Sequence, residues 1–348
     1  MVWRKIKSRV ESFAGIRAFP YLLNRSNALM LGFIVEPSMS FAHTIHHVTA
    51  VTAQIGRNLE FYTQALGLRL VKKSVNQDDV SAYHLFYADA VGSPGTDMTF
   101  FDWPNMGANL PGPGTVSLTS FRVPGEALEW WEARLEEAGA FPEVDQDELG
   151  RTRILFTDPE GQRLELVDDT KVVGSCVPWA GKIPVERALR GIIGVDLDSA
   201  RAEGTSRVLT EVLGFKFVNG SEGTFEAVNE SSYARIRINV PDGRRVGRVG
   251  AGGVHHVAFR VADDAELAAT QAKVESLGIQ TSGYIDRFYF HSVYFREPGG
   301  ILFELATDGP GFASDEDVQT LGEHLALPPF LEPRRSEIEA GLKPLPIG

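Results

Sequence analysis

The sequence predicts an α+β fold of four βαβββ modules, arranged as two domains of two modules each. One observation is a helix ending that recurs along the chain, with a glycine where a helix needs a left-handed residue before the next strand. A second is a pair of adjacent histidines that opens an apolar strand near both ends of the chain, His46-His47 and His255-His256. The recurring glycines are Gly67, Gly139, Gly214 and Gly278.

The modules follow one another along the chain. Module one is predicted as a strand at 46–52, a helix around 59–62 and strands at 83–87 and 98–102. The same order of elements predicts modules two, three and four at 116–167, 191–240 and 254–306. One domain is therefore expected at 41–170, from modules one and two, and another at 186–308, from modules three and four.

Two segments lie outside these modules. Residues 1–40 are rich in basic side chains, which a cleaved organelle-targeting segment would explain. We favour a poorly ordered N-terminal extension, because the segment lacks a clear apolar region and a small-residue cleavage site. Residues 309–348 contain six prolines and are predicted to form an irregular tail wrapped on the surface.

Composition excludes several classes of protein. The 348 residues, 43% of them hydrophobic, suffice for two sizeable cores. A net charge of −12 argues against nucleic acid as a partner. No run approaches the ~18 apolar residues that a membrane span needs, so no membrane association is expected. The single cysteine, Cys176, excludes an internal disulfide or a thiolate cluster and favours a cytoplasmic location.

Modules two and four share a turn followed by a glutamate. Asp-Pro-Glu-Gly161 and Glu-Pro-Gly-Gly300 each predict a hairpin turn, and Glu165 and Glu304 come four residues after the glycine. Each carboxylate lies within an apolar strand, where its desolvation is costly unless a cation, an arginine or a metal neutralises it. Both glutamates are therefore expected to have such a partner.

The repeated histidines predict a metal site. Side chains alternate along a strand, so only one histidine of each pair can face a shared cavity. If the second one does, His47 and His256 join Glu304 in a set of two imidazoles and one carboxylate, which suits Fe(II) or, alternatively, Mn(II). Such a set leaves coordination positions open for chemistry. The other interpretation is that these are hydrogen-bonded core histidines and a salt-bridged glutamate.

Only modules one and four supply this set. In module one, Thr99 stands where the glutamate of the other modules would be, so a second carboxylate ligand is missing. Module two has Ser117 and Leu118 at the histidine positions, and module three begins with Gly191 and has no histidine there. We therefore predict one metal site, built by modules one and four.

Polar residues surround Glu304 in a regular pattern. Pairing across the turn before Glu304 can bring Tyr294 close to it, and a phenol beside an open metal position can donate or accept a proton. Arg287 can hold an anionic oxygen. The alternatives are a core aromatic and a surface charge. For His84, lining the cavity and a purely structural role remain equally open, and the role of Glu165 stays open as well.

These motifs resemble the vicinal oxygen chelate superfamily, whose fold consists of βαβββ modules. Within it, the chain is similar to the ring-cleaving dioxygenases that act on hydroquinones. The resemblance rests on the His-His-Val openings, on the run from Asp286 to Phe295, and on Pro-Gly-Gly-Ile-Leu-Phe-Glu304, and it extends over about 44–331.

The resemblance implies a reaction and roles for residues. It implies Fe(II) held by His47, His256 and Glu304, with a small aromatic substrate and O₂ as partners. It further implies substrate or supporting roles for His46, Thr49, His255, Arg287 and Tyr294. Alternation by itself would turn His46 and His255 away from the cavity, so their roles rest on the resemblance.

Three rival functions remain open at this stage. A glyoxalase-type lyase or isomerase would share the fold, but Thr99 removes one of the ligands it would use. An extradiol catechol dioxygenase would draw its ligands from the second half of the chain, where module three has no histidine. A drug-binding relative would need no iron. The sequence leaves open the ring substituents of the substrate and whether the chain forms a homo-oligomer.

Overall fold

The computed structural model of the chain describes residues 42–168, 174–229, 231–243 and 245–345. The N-terminal extension predicted at 1–40 lies outside these residues. Within them, the four βαβββ modules are present in the predicted order. All four recurring glycines, Gly67, Gly139, Gly214 and Gly278, have φ values between 70° and 78°. The left-handed helix endings predicted from the sequence are therefore confirmed.

Modules one and two make up the first half of the chain. In module one, strand β1 (Ile45–Thr52) leads into helix α1 (Ile55–Glu60), a π-helical turn (Phe61–Ala65), and strands β2 (Arg69–Asn76), β3 (Asp79–Ala88) and β4 (Asp97–Asp102). In module two, strand β5 (Thr115–Val123) precedes helix α2 (Leu128–Glu137) and strands β6 (Glu143–Gln146), β7 (Thr152–Thr157) and β8 (Arg163–Asp168).

Modules three and four repeat this order. Module three contains β9 (Ile192–Asp198), α3 (Ala202–Arg207), a π-helical turn (Val208–Val212), β10 (Lys216–Phe217), β11 (Thr224–Val228) and β12 (Tyr233–Asn239). Module four contains β13 (Gly253–Val261), α4 (Asp264–Ser276), β14 (Ile285–Asp286), β15 (Phe290–Arg296) and β16 (Leu302–Pro310). No helix in the described part of the chain is long and apolar enough to cross a membrane.

The strands form two eight-stranded sheets that join distant modules. The first sheet has the order β14-β15-β16-β13-β1-β4-β3-β2 and therefore combines modules one and four. The second has the order β10-β11-β12-β9-β5-β8-β7-β6 and combines modules two and three. The hydrogen bonds between strands therefore join module one to module four and module two to module three. The predicted division into two domains of consecutive modules stays a prediction.

One hydrophobic core connects the two sheets. Its buried side chains come from both of them, including Phe100 and Phe259 of the first sheet and Phe121 and Phe225 of the second. The central strands of the sheets also contact one another, β1 with β9 and β13 with β5. The core therefore lies between the sheets.

The C-terminal segment is attached more firmly than an irregular surface tail. It includes helix α5 (Arg335–Gly341) and buries apolar side chains. Lys72 of β2 is fully buried and donates hydrogen bonds to the Phe312 carbonyl (3.0 Å), to Asp315 (2.7 Å) and to Glu316. Burying a lysine is costly unless it is paired, so these carboxylates hold the segment against the sheet.

Candidate metal centre and active site

The site is built at the junction of β1 and β13, in the middle of the first sheet. The two strands run antiparallel and their pairing contains two irregularities of one residue each. Ile45 and His47 face Phe259 and Ala258, which leaves His46 as an extra residue. On the other strand, His255 is the extra residue, because Thr49 and Ala50 face His256 and Val254.

These bulges change how the two histidines of each pair lie relative to each other. A bulge places an extra residue in one strand and turns it away from the regular up-and-down pattern. As a result, both imidazoles of each pair lie close together, with ring centroids 5.1 Å apart for His46 and His47 and also for His255 and His256. Alternation had predicted that His46 and His255 turn away from the cavity, and neither is among the residues that line it. The sequence carries no local signal for the bulges, because they arise when the two strands pair.

Three buried side chains converge at this junction. The Nε2 atoms of His47 and His256 are 3.3 Å apart, although 209 residues separate the two histidines in the chain. Oε2 of Glu304 lies 3.3 Å from Nε2 of His47 and 3.0 Å from Nε2 of His256. The structure thus brings together the three residues that the sequence predicted as ligands, and all three are buried.

The donor set fits a metal ion. Ligand atoms about 2.1 Å from one ion and at right angles around it would lie about 3.0 Å apart, close to the observed separations. Oε2 of Glu304 is buried and makes no well-directed hydrogen bond. An unpaired buried carboxylate oxygen is costly, and a cation between it and the two imidazoles would remove that cost. His47, His256 and Glu304 could therefore hold a metal.

The first histidine of each pair holds the second one in place. Nδ1 of His46 is 2.9 Å from Nδ1 of His47, and Nδ1 of His255 is 2.8 Å from Nδ1 of His256. If the second histidine donates from Nδ1, its Nε2 keeps a lone pair directed at the centre, which is the tautomer that binds a metal. Burial, reinforced by the neighbouring His256, lowers the pKa of His255 to about 3 and keeps that ring uncharged.

The other carboxylate oxygen of Glu304, Oε1, is also fixed by a hydrogen bond. Ser292 donates a hydrogen bond to Oε1 at 2.5 Å. Burial would raise the pKa of Glu304, but His47 and His256 hold it well below its usual range, so the side chain is a carboxylate. Ser292 was not predicted as a site residue from the sequence. The signal was present, because Ser292 precedes Tyr294 by two residues and alternation places both on one face.

Tyr294 lies beside the centre as predicted. It pairs with Glu304 across β15 and β16, and its ring is 5.7 Å from the ring of His256. Burial and the Glu304 carboxylate raise the pKa of its phenol above the usual range, opposed by Arg287. The guanidinium of Arg287 lies 5.3 Å from the Tyr294 ring centre. It also forms an ion pair with the exposed Asp78, at 3.0 Å.

In module one, hydroxyl groups replace the carboxylate. Thr99 pairs with Thr49 as Glu304 pairs with Ala258, so Thr99 occupies the equivalent strand position. Its Oγ1 is 2.7 Å from Oγ1 of Thr49 and 3.0 Å from Nε2 of His84. Thr49, which is predicted to be a site residue, therefore contacts Thr99, and Thr99 contacts His84.

A cavity opens over these residues. It has a volume of about 50 Å³ and is lined by His47, Ser74, Val75, Asn76, Gln77, Asp78, His84, Phe86, Phe101, His256, Arg287, Tyr289, Phe290 and Tyr294. Phe290 contacts the rings of both His46 and His47, with centroids 5.4 and 5.2 Å apart. Aromatic walls with a few polar groups are typical of a small-molecule site.

The second sheet has no such centre in its described part. There, Gly194 lies at the strand position that a ligand histidine occupies in the first sheet, and Arg235 pairs with Gly194. It donates to Glu165 at 2.5 Å and to Asp147 at 2.7 Å, while Arg153 lies 3.2 Å from Glu165. The cation expected beside Glu165 is thus a guanidinium, and Glu165 has a structural role.

Comparisons with known proteins agree with this fold and site. A model of the Glyoxalase/Bleomycin resistance protein/Dioxygenase superfamily matches residues 44–166 and 202–305. The chain belongs to this superfamily. It is 45% identical over 310 residues to MhqA of Bacillus subtilis, which carries a provisional name as a ring-cleaving dioxygenase, and the match covers 86% of this chain and 98% of MhqA.

A second relative has a more specific name. The chlorohydroquinone/hydroquinone 1,2-dioxygenase of Sphingobium indicum is 32% identical over 305 residues, which are 84% of this chain and 94% of that protein. The crystal structure of another provisionally named dioxygenase of Bacillus subtilis matches with a TM-score of 0.82 and 36% identity, covering 89% of this chain and 99% of that one. Glyoxalase I of Zea mays, with a TM-score of 0.56 and 15% identity over 77% of this chain and 93% of that one, shares the fold.

Proposed function

We propose that this chain is an Fe(II)-dependent dioxygenase that opens the ring of a hydroquinone-type aromatic next to one of its hydroxyl groups, with O₂ as the second substrate. The chain is a ring-cleaving dioxygenase, since the curated relatives named as dioxygenases are 32–45% identical to it over most of its length. The observation that carries the proposal is the convergence of His47, His256 and Glu304 at the base of an aromatic cavity.

The metal would be held by these three side chains. Two imidazoles and one carboxylate on one side of an ion leave its other positions open, which favours Fe(II), with Mn(II) as the alternative. When bound, Fe(II) would supply adjacent binding positions for the substrate hydroxyl and O₂, together with the one-electron chemistry that O₂ requires. Ser292 keeps the Glu304 carboxylate oriented, and His46 and His255 keep the ligand rings oriented.

The surrounding residues bind the ring and handle protons. Phe86, Phe101 and Phe290 form apolar walls against which an aromatic ring can pack. The positive charge of Arg287 favours the anionic form of a substrate hydroxyl. Tyr294, whose phenol keeps its proton because of the raised pKa, can donate that proton as the ring opens.

The rival activities differ in substrate. An extradiol enzyme would cleave catechols, whereas the hydroquinone relative directs the proposal to rings with para hydroxyl groups. A glyoxalase-type lyase would consume no oxygen, and Thr99 leaves this site without a second carboxylate.

Oxygen consumption tests the proposal directly. The protein is purified anaerobically, loaded with Fe(II) or with Mn(II), and supplied with hydroquinones and catechols in parallel while O₂ is monitored. We expect metal-dependent uptake of one O₂ per ring with hydroquinones. No uptake with any dihydroxybenzene, or a preference for catechols, would contradict it.

A further inference from the structure

His84 lies in the cavity wall with one ring nitrogen engaged and the other free. It lies on β3, and its Nε2 is anchored to Thr99, which in turn is bonded to Thr49. Nδ1 has no hydrogen-bond partner among the described residues, yet it is not one of the buried unpartnered atoms. Because the ring lines the cavity, Nδ1 is a polar atom that a ligand can reach.

Three other polar residues of the cavity lining each form at least one hydrogen bond or ion pair. Asn76 accepts from the backbone of Asp78 at 2.9 Å, and Gln77 donates to the carbonyl of Arg287, also at 2.9 Å. Arg287 itself binds Asp78. A ligand would have to break these contacts to use those groups, whereas Nδ1 of His84 is available without rearrangement.

Phe101 is a neighbour of both His84 and the candidate metal centre. Its ring centroid lies 4.4 Å from that of His84 and 6.4 Å from that of His256. A flat substrate packed along this wall would have one end at His47, His256 and Glu304 and the opposite end near His84. The two hydroxyl groups of a 1,4-dihydroxybenzene lie at opposite ends of the ring.

We propose that His84 forms a hydrogen bond, through Nδ1, with the ring hydroxyl farthest from the metal centre and thereby selects 1,4-dihydroxy aromatics. This inference rests on the proposed function. An uncharged imidazole with Nε2 bonded to a threonine hydroxyl is either a donor or an acceptor at Nδ1, and a hydroxyl satisfies both cases. A ligand without a hydroxyl at this end leaves Nδ1 of His84 unpaired and cut off from water, which lowers the affinity of that ligand.

Ligand binding without turnover tests this role. The Fe(II)-loaded protein is titrated anaerobically with hydroquinone and with 4-methylphenol, which has nearly the same size but only one hydroxyl. His84→Gln keeps an amide that can reach Thr99 but places nothing at Nδ1. We expect it to bind hydroquinone about tenfold more weakly and to bind 4-methylphenol within about twofold of the wild type. His84→Asn, whose amide replaces Nδ1, is expected to retain most of the preference for hydroquinone.

A matched control separates this effect from a loss of folding. His291 lies on the other face of β15 and is bonded to Asp264 at 2.5 Å, so His291→Gln should change neither ligand's affinity. Iron content and the thermal unfolding midpoint are recorded for every variant. The role of His84 would be overturned if His84→Gln weakened the binding of hydroquinone and of 4-methylphenol equally. It would also be overturned if His84→Asn alone lost the preference for hydroquinone over 4-methylphenol. Oxygen uptake by the wild type with hydroquinone reports separately on the proposed function.

Discussion

Arg235 and Glu165 form a buried ion pair of 2.5 Å in the second sheet, where Arg235 pairs with Gly194, at the strand position that a ligand histidine occupies in the first sheet. Both sheets have the same topology, and both place a carboxylate in an apolar strand. In one sheet two imidazoles converge on the carboxylate, and in the other a guanidinium neutralises it. The same fold therefore forms a site that could hold a metal ion in one sheet. In the other sheet, an arginine side chain of the protein itself neutralises the buried carboxylate.

Removing the guanidinium should destabilise the protein. In Arg235→Met, the carboxylates of Glu165 and Asp147 lose a buried partner, which costs about 3–5 kcal/mol. Urea unfolding measures the loss. Adding Glu165→Met should restore much of the stability, because the double variant no longer buries an unpaired charge there. A loss under about 1 kcal/mol in the single variant would contradict a structural role for this ion pair.

Removing a predicted ligand should remove the metal. In His47→Ala and in Glu304→Ala, we expect the bound metal, measured by elemental analysis, to fall below about a tenth of the wild-type content, because two ligand atoms rarely retain such an ion. His324→Ala serves as the control, since that histidine is exposed and remote from the cavity. Full metal content in either ligand variant would refute the assignment.

Tyr294→Phe should slow catalysis without affecting the metal. The substitution removes only the phenolic oxygen, and loss of a proton-transfer group reduces kcat about 10²–10⁴-fold. Tyr284→Phe, at a tyrosine that is 55% exposed, is the matched control and should leave kcat unchanged. If Tyr294→Phe changes KM alone, the phenol positions the substrate and takes no part in proton transfer.

Asp158 should make stability depend on pH. Burial raises the pKa of its carboxyl from 3.8 to about 6, although the backbone amides of Glu160 and Gln162 donate to it. Because the folded-state pKa exceeds the unfolded one, the folded protein binds more protons. Stability is thus greatest below the unfolded pKa and falls by up to about 3 kcal/mol as pH rises towards 6.

Comparing Asp158→Asn with the wild type isolates this contribution. The amide oxygen can still accept from both backbone groups, but the side chain no longer titrates, so we expect a flatter stability profile between pH 4 and 6. Asp242→Asn, at an exposed aspartate, should leave the profile unchanged. Identical profiles for Asp158→Asn and the wild type would contradict the raised pKa.

Local signals predicted the modules and the ligands. Each recurring glycine ends a helix because only a residue without a side chain adopts φ near 70° without strain, and this requirement is visible in the sequence. His47, His256 and Glu304 could be predicted because duplicated modules place equivalent residues at equivalent strand positions. The role of Ser292 was within reach of the same alternation, since it shares a face with Tyr294.

By itself, the sequence determined the succession of four modules, the residues able to bind a metal, and the absence of a matching set in modules two and three. Only the tertiary structure decided that module one pairs with module four, that bulges at His46 and His255 turn both rings towards their neighbours, and that Arg235 is the partner of Glu165. The physical reason is that strand pairing and bulges depend on contacts between residues far apart in the chain, which local propensity and periodicity do not encode.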